Sequence, residues 1–369
     1  MDFGYSQEHT MLKDGARKFF EKQCPPSLVK EMAANAKGYS PEMWKQMADL
    51  GWLGLTLGEE YGGSGGSFMD LTILLQEMGR AVVPGPFFSS AVMAGTLIQE
   101  SGTEENKKKY LPLIASGELI ATVAILEESG RYVKEDLKAQ AKKAQGDYQL
   151  SGIKLFVPDA QVAQKILCAA KAPEGITFFV VDAASKGLSI TPLPTLSGER
   201  MGEVALNGVT AEAVIGKAGR GWEAMEKVWP NWVIAKCAEM VGGSERALEM
   251  TVQYAKERKQ FGQPLAAFQA VQHHCVNMAI DLETSRYLMA SAAWMLSEGL
   301  PCSKEVAMAK ACCSDAFKRI TFTGHQIHGG IGFTQEHDLH LHYKRAKTSE
   351  LMFGDADLHR EIVAREMTF

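Results

Sequence analysis

Hydrophobic periodicity changes twice along these 369 residues, and that succession constrains the fold more than any single motif. From residue 6 to about 116, apolar residues recur at spacings of three and four in segments 11–21, 41–51, 68–82 and 89–101, which proline and glycine separate. After Leu119, short β-rich runs take over at 121–126, 148–156, 165–169, 176–181, 188–192 and 203–206. Helical spacing returns near Gly221 and holds through 223–228, 234–254, 267–298, 303–325 and 344–365. Long helical segments with short joints are what an antiparallel four-helix bundle requires. A chain of this length also exceeds what one hydrophobic core usually serves. The expected fold is α+β and multidomain: an N-terminal α-helical domain (1–118), a small middle β-barrel or sandwich domain (119–219) and a C-terminal four-helix bundle (220–369).

With 46% apolar and 22% charged residues and a net charge of −5, the chain reads as a globular protein with no polyanion-binding surface, so nucleic acid is not an expected partner. Its seven cysteines are scattered without CxxC spacing, which predicts a reduced, cytoplasmic compartment and neither a disulfide framework nor a zinc site. The run from Met1 to Tyr5 carries no basic or apolar leader, and no window reaches about eighteen uninterrupted apolar residues, so no membrane span is expected. The histidines His325, His328, His337, His340 and His342 invite a metal reading. His340 and His342 are two apart, however, which is wrong for one helical face, and no metal is expected.

Two stretches carry chemistry. Arg258-Lys259-Gln260-Phe261-Gly262-Gln263-Pro264, followed by Phe268-Gln269, brings a basic helix end into a Phe-Gly-x-Pro break, and Gln326-Ile327-His328-Gly329-Gly330-Ile331-Gly332-Phe333 ends a helix in a glycine turn. Together they suit a dinucleotide's pyrophosphate and adenosine. Arg258 offers a guanidinium for bidentate phosphate binding, and Phe261 a ring face. Gln269 and Gln326 add amides, while Gly329 and Gly330 let the backbone come close. The glycines of the loop from Glu60 to Gly66 could also cradle phosphate, but a flexible connection between helices is the preferred reading there.

The helices–sheet–helices order and these motifs resemble the acyl-CoA dehydrogenase family over essentially the whole chain. Tyr110-Leu111-Pro112-Leu113-Ile114-Ala115-Ser116-Gly117-Glu118 looks like that family's lead-in from helices to sheet. Tyr254 to Gln269 is similar to its best-known signature, and Gln326 to Phe333 matches the second. The resemblance implies FAD, with the AMP half and pyrophosphate held across a subunit interface by Arg258, Phe261, Gln269, Gln326, Gly329 and Gly330. It further implies an acyl-CoA substrate, a dimer-of-dimers assembly and an electron-transfer flavoprotein as electron acceptor.

Several positions depart from the family pattern. Where the family carries a Thr-x-Pro-x-x-Gly-Ser-Asp type loop at the flavin, this chain has Ile125-Leu126-Glu127-Glu128-Ser129-Gly130-Arg131, with Leu126 in place of the threonine. Where it carries Trp-x-Thr, this chain has Phe156-Val157-Pro158. Phe156 can still pack on a flavin face, but Pro158 has neither a side-chain donor nor an N–H. The catalytic glutamate's usual position, just before a glycine, falls on Phe353, and the alternative position on the first long bundle helix falls on about Trp232. Neither side chain takes a proton. Glu239, seven residues beyond Trp232 on nearly the same helical face, is the candidate base, with Glu350, Asp355 and Asp357 behind it. The alternative reading of Glu239 is a polar residue satisfied at a bundle interface by Lys236 or a neighbouring subunit. Three functions follow: an FAD-dependent acyl-CoA dehydrogenase using an unorthodox base, a partner subunit of a heteromeric dehydrogenase, or a non-redox acyl-CoA-handling protein on the same scaffold.

Overall fold

The computed structural model describes residues 6–144 and 146–367. In chain order the helices are α1 (Gln7–Gln23), α2 (Pro26–Ala34), α3 (Pro41–Asp49), α4 (Phe68–Ala81), α5 (Gly95–Ser101, preceded by a π-helical stretch Phe87–Ala94) and α6 (Glu104–Ala115). After the strands come α7 (Gly221–Glu257), α8 (Gln269–Ser297), α9 (Ser303–His328), α10 (Leu339–Leu351) and α11 (Ala356–Glu366). The strands are β1 (Ala121–Ala124), β2 (Gln140–Ala144), β3 (Asp147–Pro158), β4 (Lys165–Ala172), β5 (Gly175–Asp182), β6 (Leu188–Leu193), β7 (Met201–Thr210) and β8 (Ala213–Val214), with a two-residue pair β9 (Lys259–Gln260) and β10 (Gln263–Pro264). Helices, a central sheet and further helices follow one another as the periodicity predicts.

The chain divides into two compact units, residues 31–67 with 84–232 and residues 1–30 with 68–83 and 233–369. The first holds the sheet, ordered β6-β7-β3-β2-β4-β5-β8 with β1 parallel to β4. Strands distant in that order share one core: Val204 and Leu206 of β7 cluster with Ile166 and Cys168 of β4 and Phe179 and Val181 of β5. Such sharing requires a strongly curved sheet. β2, Gln-Ala-Lys-Lys-Ala, carries no β-branched or aromatic signal and is a strand because it pairs with β3. The loop from Gly54 to Gly66 is knotted on itself. Gly63 N–H bonds Gly58 O at 3.1 Å, Ser64 N–H bonds Gly54 O at 2.9 Å, Gly65 N–H bonds Leu57 O at 3.0 Å and Gly66 N–H bonds Leu55 O at 2.7 Å. Those donors are committed to the loop's own carbonyls, so the segment is neither a slack connection nor a phosphate cradle.

The second unit is helical. α4 crosses α7 at glycines: a Cβ on Gly79 would overlap the Glu239 carbonyl, and one on Gly242 the Gln76 carbonyl. α1 is tied to α4 by a bidentate Arg17–Glu77 pair at 2.9 and 2.8 Å. α7 was expected as two segments, 223–228 and 234–254, but runs unbroken through Pro230. Complete burial of Val228, Trp232, Val233 and Ile234 offsets the roughly 3 kcal/mol that an interior proline costs. The expected helix at 344–365 is instead two, because Phe353 (φ 61°) and Gly354 (φ 91°) take left-handed conformations and Asp355 caps α11 by accepting from Leu358 N–H at 2.9 Å.

Candidate cofactor and reaction site

At the end of α7, Arg258 is exposed and its guanidinium makes no ion pair among the described residues. β9 and β10 fold the next residues into a tight hairpin whose turn places Phe261 at φ 53°, 92% exposed, its ring edge-on to Phe268 at 6.2 Å. An aromatic ring so exposed, on strained backbone beside a free guanidinium, is arranged for a ligand or a partner. Gln269 opens α8 and Gln326 lies in the last turn of α9, both exposed. α9 ends at Gly329 (φ 64°), whose N–H caps the His325 carbonyl and so is already used. A Cβ at Gly329 or Gly330 would meet nothing within 4 Å, which leaves an open backbone face. Tyr254 joins the two motifs: its hydroxyl donates to His328 O at 3.3 Å and its ring stacks on His328 at 4.4 Å.

The turn between α10 and α11 holds the position expected for a base. Phe353 is wholly buried, and its carbonyl pairs with His359 Nε2 at 2.9 Å. Beside it the fully buried Lys310 donates to Gly354 O (2.8 Å), Glu350 O (3.0 Å) and Ser314 Oγ (3.0 Å). Burial pushes that ammonium down to about 8. The lysine satisfies carbonyls that the end of α10 leaves open, and its charge suits the helix C-terminus. Glu350, a fallback base from the sequence, is drawn to Lys318 at 2.5 Å. Asp355 is the α11 cap, and Asp357 pairs with Arg360 at 2.7 Å. Glu239 is 8% exposed and ion-paired with Lys236, itself 2% exposed.

In the sheet unit, two residues of β3 (Leu155 and Phe156) oppose one of β7 between the Lys154–Val204 and Val157–Gly202 pairs, a bulge. Phe156 sits on it at φ 53° and is 52% exposed. Pro158 contributes only a carbonyl, which accepts from Thr122 Oγ1 at 2.6 Å. Leu126 meets the bulge through its backbone, accepting from Leu155 N–H at 2.9 Å. Behind the strand the buried Lys154 bonds Glu127 Oε1 at 2.7 Å, and Glu127 also takes Lys138 N–H (2.6 Å) and Ala139 N–H (3.0 Å). Trp232 is wholly buried, with Nε1 donating to Thr96 Oγ1 at 2.9 Å.

The exposed motifs are plain in the sequence, but the roles of Lys310 and His359 at the Phe353 turn, of Lys154 and Glu127 behind the β3 bulge, and of Tyr254 against His328 are not. A signal existed for two of these. Lys310 interrupts the apolar run from Val306 to Cys313, and Lys154 falls on the inward face of β3, in phase with Leu150.

The order of helices, curved sheet and long C-terminal helices is that of a flavin-dependent class, and comparison with known proteins agrees. The acyl-CoA dehydrogenase C-terminal domain profile matches residues 219–368, and the N-terminal domain profile matches residues 6–118. The chain belongs to the acyl-CoA dehydrogenase family, FAD-dependent oxidoreductases acting on CH–CH bonds. Among particular relatives, it is 30% identical to the acryloyl-CoA reductase (NADH) of Anaerotignum propionicum, over 100% of this chain and 96% of that one. It is 27% identical to CarC, a subunit of the caffeyl-CoA reductase–Etf complex of Acetobacterium woodii, over 98% of both. The ChsE4–ChsE5 complex of Mycobacterium tuberculosis contains a chain superposing with a TM-score of 0.92 at 27% identity, covering 100% of this chain and 99% of that one.

The residues fit FAD unequally. The open glycine face, the free Arg258 and the exposed Phe261 suit the adenosine-diphosphate end. Near the bulge Phe156 offers a ring face, while Pro158 and Leu126 bring no side-chain donor. No described helix is long and apolar enough to cross a membrane.

Proposed function

We propose that this chain is one subunit of a heteromeric acyl-CoA dehydrogenase, supplying the adenosine-diphosphate cradle while a second family member supplies the carboxylate base. The observation that carries this reading is Phe353, a buried ring on the left-handed turn where the family's base is expected. α,β-Dehydrogenation removes a proton from the acyl α-carbon, and a phenyl ring cannot accept one. FAD, when bound, supplies the hydride acceptor. Arg258 would clamp the diphosphate and the Gln269 and Gln326 amides would orient it, against the open backbone of Gly329 and Gly330. Phe261 would cover the adenosine, and Phe156 would pack on the ring system. The outward exposure of these groups supports a cofactor shared across a subunit boundary, in a dimer-of-dimers. The two-chain ChsE4–ChsE5 assembly supports heteromeric pairing, and the Etf complex containing CarC supports an electron-transfer flavoprotein as acceptor. Free cysteines throughout the described residues agree with a reduced, cytoplasmic setting.

The competing reading gives Glu239 the base role in a homomeric enzyme. Its buried place on α7 favours that role, but the Lys236 ammonium beside it favours a structural pair. Purification separates the two. Alone, the chain should be colourless, and it should acquire near-stoichiometric flavin when co-purified with a homologous chain encoded nearby. A yellow lone chain that bleaches with an acyl-CoA, and loses that bleaching but not its flavin in Glu239→Gln, would overturn the heteromer in favour of Glu239.

A further inference from the structure

We propose that Tyr254 and His328 are positioning residues for the Gly329–Gly330 turn, and that protonation of the His328–His337 pair releases the cradle's hold on the FAD diphosphate. The inference rests on the reading that this surface holds the adenosine-diphosphate end of FAD. Its own basis is what lies beneath the turn. His328 is 3% exposed, and its Nδ1 lies 2.7 Å from the Gly324 carbonyl. A carbonyl only accepts, so Nδ1 carries the proton and Nε2 is a bare acceptor, buried and without a partner among the described residues. The ring is held flat on Tyr254 (4.4 Å, 23°), and the Tyr254 hydroxyl bonds the carbonyl of His328, the last residue before the glycines. Ring stack and hydroxyl therefore fix both sides of the peptide that leads into the turn.

His337 lies 4.5 Å from His328, with its Nδ1 accepting from Leu339 N–H at 3.2 Å. Its proton thus sits on Nε2. The remaining charged and titratable neighbours are His325, one turn earlier on α9, which packs on Phe333 and Tyr343 at 5.0 Å each, and the Lys30–Asp338 ion pair at 2.7 Å. Burial, the largest cause for both rings, holds His328 and His337 below the ordinary histidine range, and His325 adds to the effect. Acidification places a charge where no acceptor waits and sets it against a second imidazole. The ring must then leave Tyr254, and the peptide into Gly329 loses its support.

The test uses the FAD-loaded assembly and follows flavin fluorescence as cofactor is released at pH 7.5 and pH 5.5. Two rings that take up protons only as the turn lets go should each weaken the hold at low pH, so the FAD dissociation constant should rise about tenfold over this interval. His328→Phe keeps a ring for Tyr254 but cannot titrate, and should compress that ratio to about twofold. His337→Gln, at a half-buried ring, should do the same and covers the case in which His328→Phe fails to fold. A full acid response retained in either folded variant overturns the proposal. Arg258→Ala should weaken FAD at both pH values alike. Unchanged affinity there would instead remove the cradle reading itself, a failure visible without any change of pH.

Discussion

Burial holds two histidines of the C-terminal helices neutral, pushing His342 down to about 3 and His359 down to about 4. Both are nearly inaccessible, and Arg246, Arg345 and Arg80 around His342 and Lys310 near His359 add to the effect of desolvation. Their folded values lie below the unfolded value near 6.5, so the unfolded chain binds more protons at lower pH. The stability they contribute is complete above about pH 6.5 and is lost as pH falls toward 4 and 3. Urea unfolding at pH 7.5 and pH 5 should show a loss of roughly 1–2 kcal/mol per histidine, limited by about 1.4 kcal/mol per pH unit. His342→Gln should reduce the pH dependence by one such share. An identical dependence in the variant would count against the assignment. Nothing local in the sequence distinguishes His342 from His340, because the difference is burial by residues distant in the chain.

Glycine has opposite consequences in two helices. In α1, a Cβ at the exposed Gly15 would meet nothing within 4 Å, so Gly15→Ala should stabilise by about 0.5–1 kcal/mol. At the α4–α7 crossing, Gly242→Ala forces a methyl onto the Gln76 carbonyl and should cost about 3 kcal/mol or more. Thermal melts of the two variants should move in opposite directions. Periodicity made α8 and α9 legible, since their apolar spacing is long and uninterrupted. It failed where backbone chemistry overrode it. The spacing lapsed between 228 and 234, where core burial carries the helix through Pro230, and the apolar pattern continued across Phe353, where a left-handed residue ends the helix. A phenylalanine gives no warning of positive φ, which glycine alone adopts cheaply.

Across the whole molecule, what could be read in advance was surface chemistry concentrated in short stretches: the Arg258 hairpin and the Gly329–Gly330 turn lie within a few residues of their partners in sequence. The groups behind the β3 bulge and the Phe353 turn do not. Lys154 reaches Glu127 across 27 residues and Lys310 reaches Gly354 across 44, and only folding brings such pairs together. The knotted segment from Gly54 to Gly66 has a further consequence. A protease must draw several residues into extended form, and glycine-rich surface loops are its usual point of entry. Here that extension would first break the four loop-closing bonds made by the N–H groups of Gly63 to Gly66. Digestion of the native protein with a glutamate-specific protease, followed by mass spectrometry of the earliest fragments, should therefore find Glu59 and Glu60 spared despite their exposure. Early cleavage there would mean the knot opens readily. If it holds, the most glycine-rich stretch of this chain is among its most resistant to nicking, and a fusion or insertion placed there on composition alone would be placed badly.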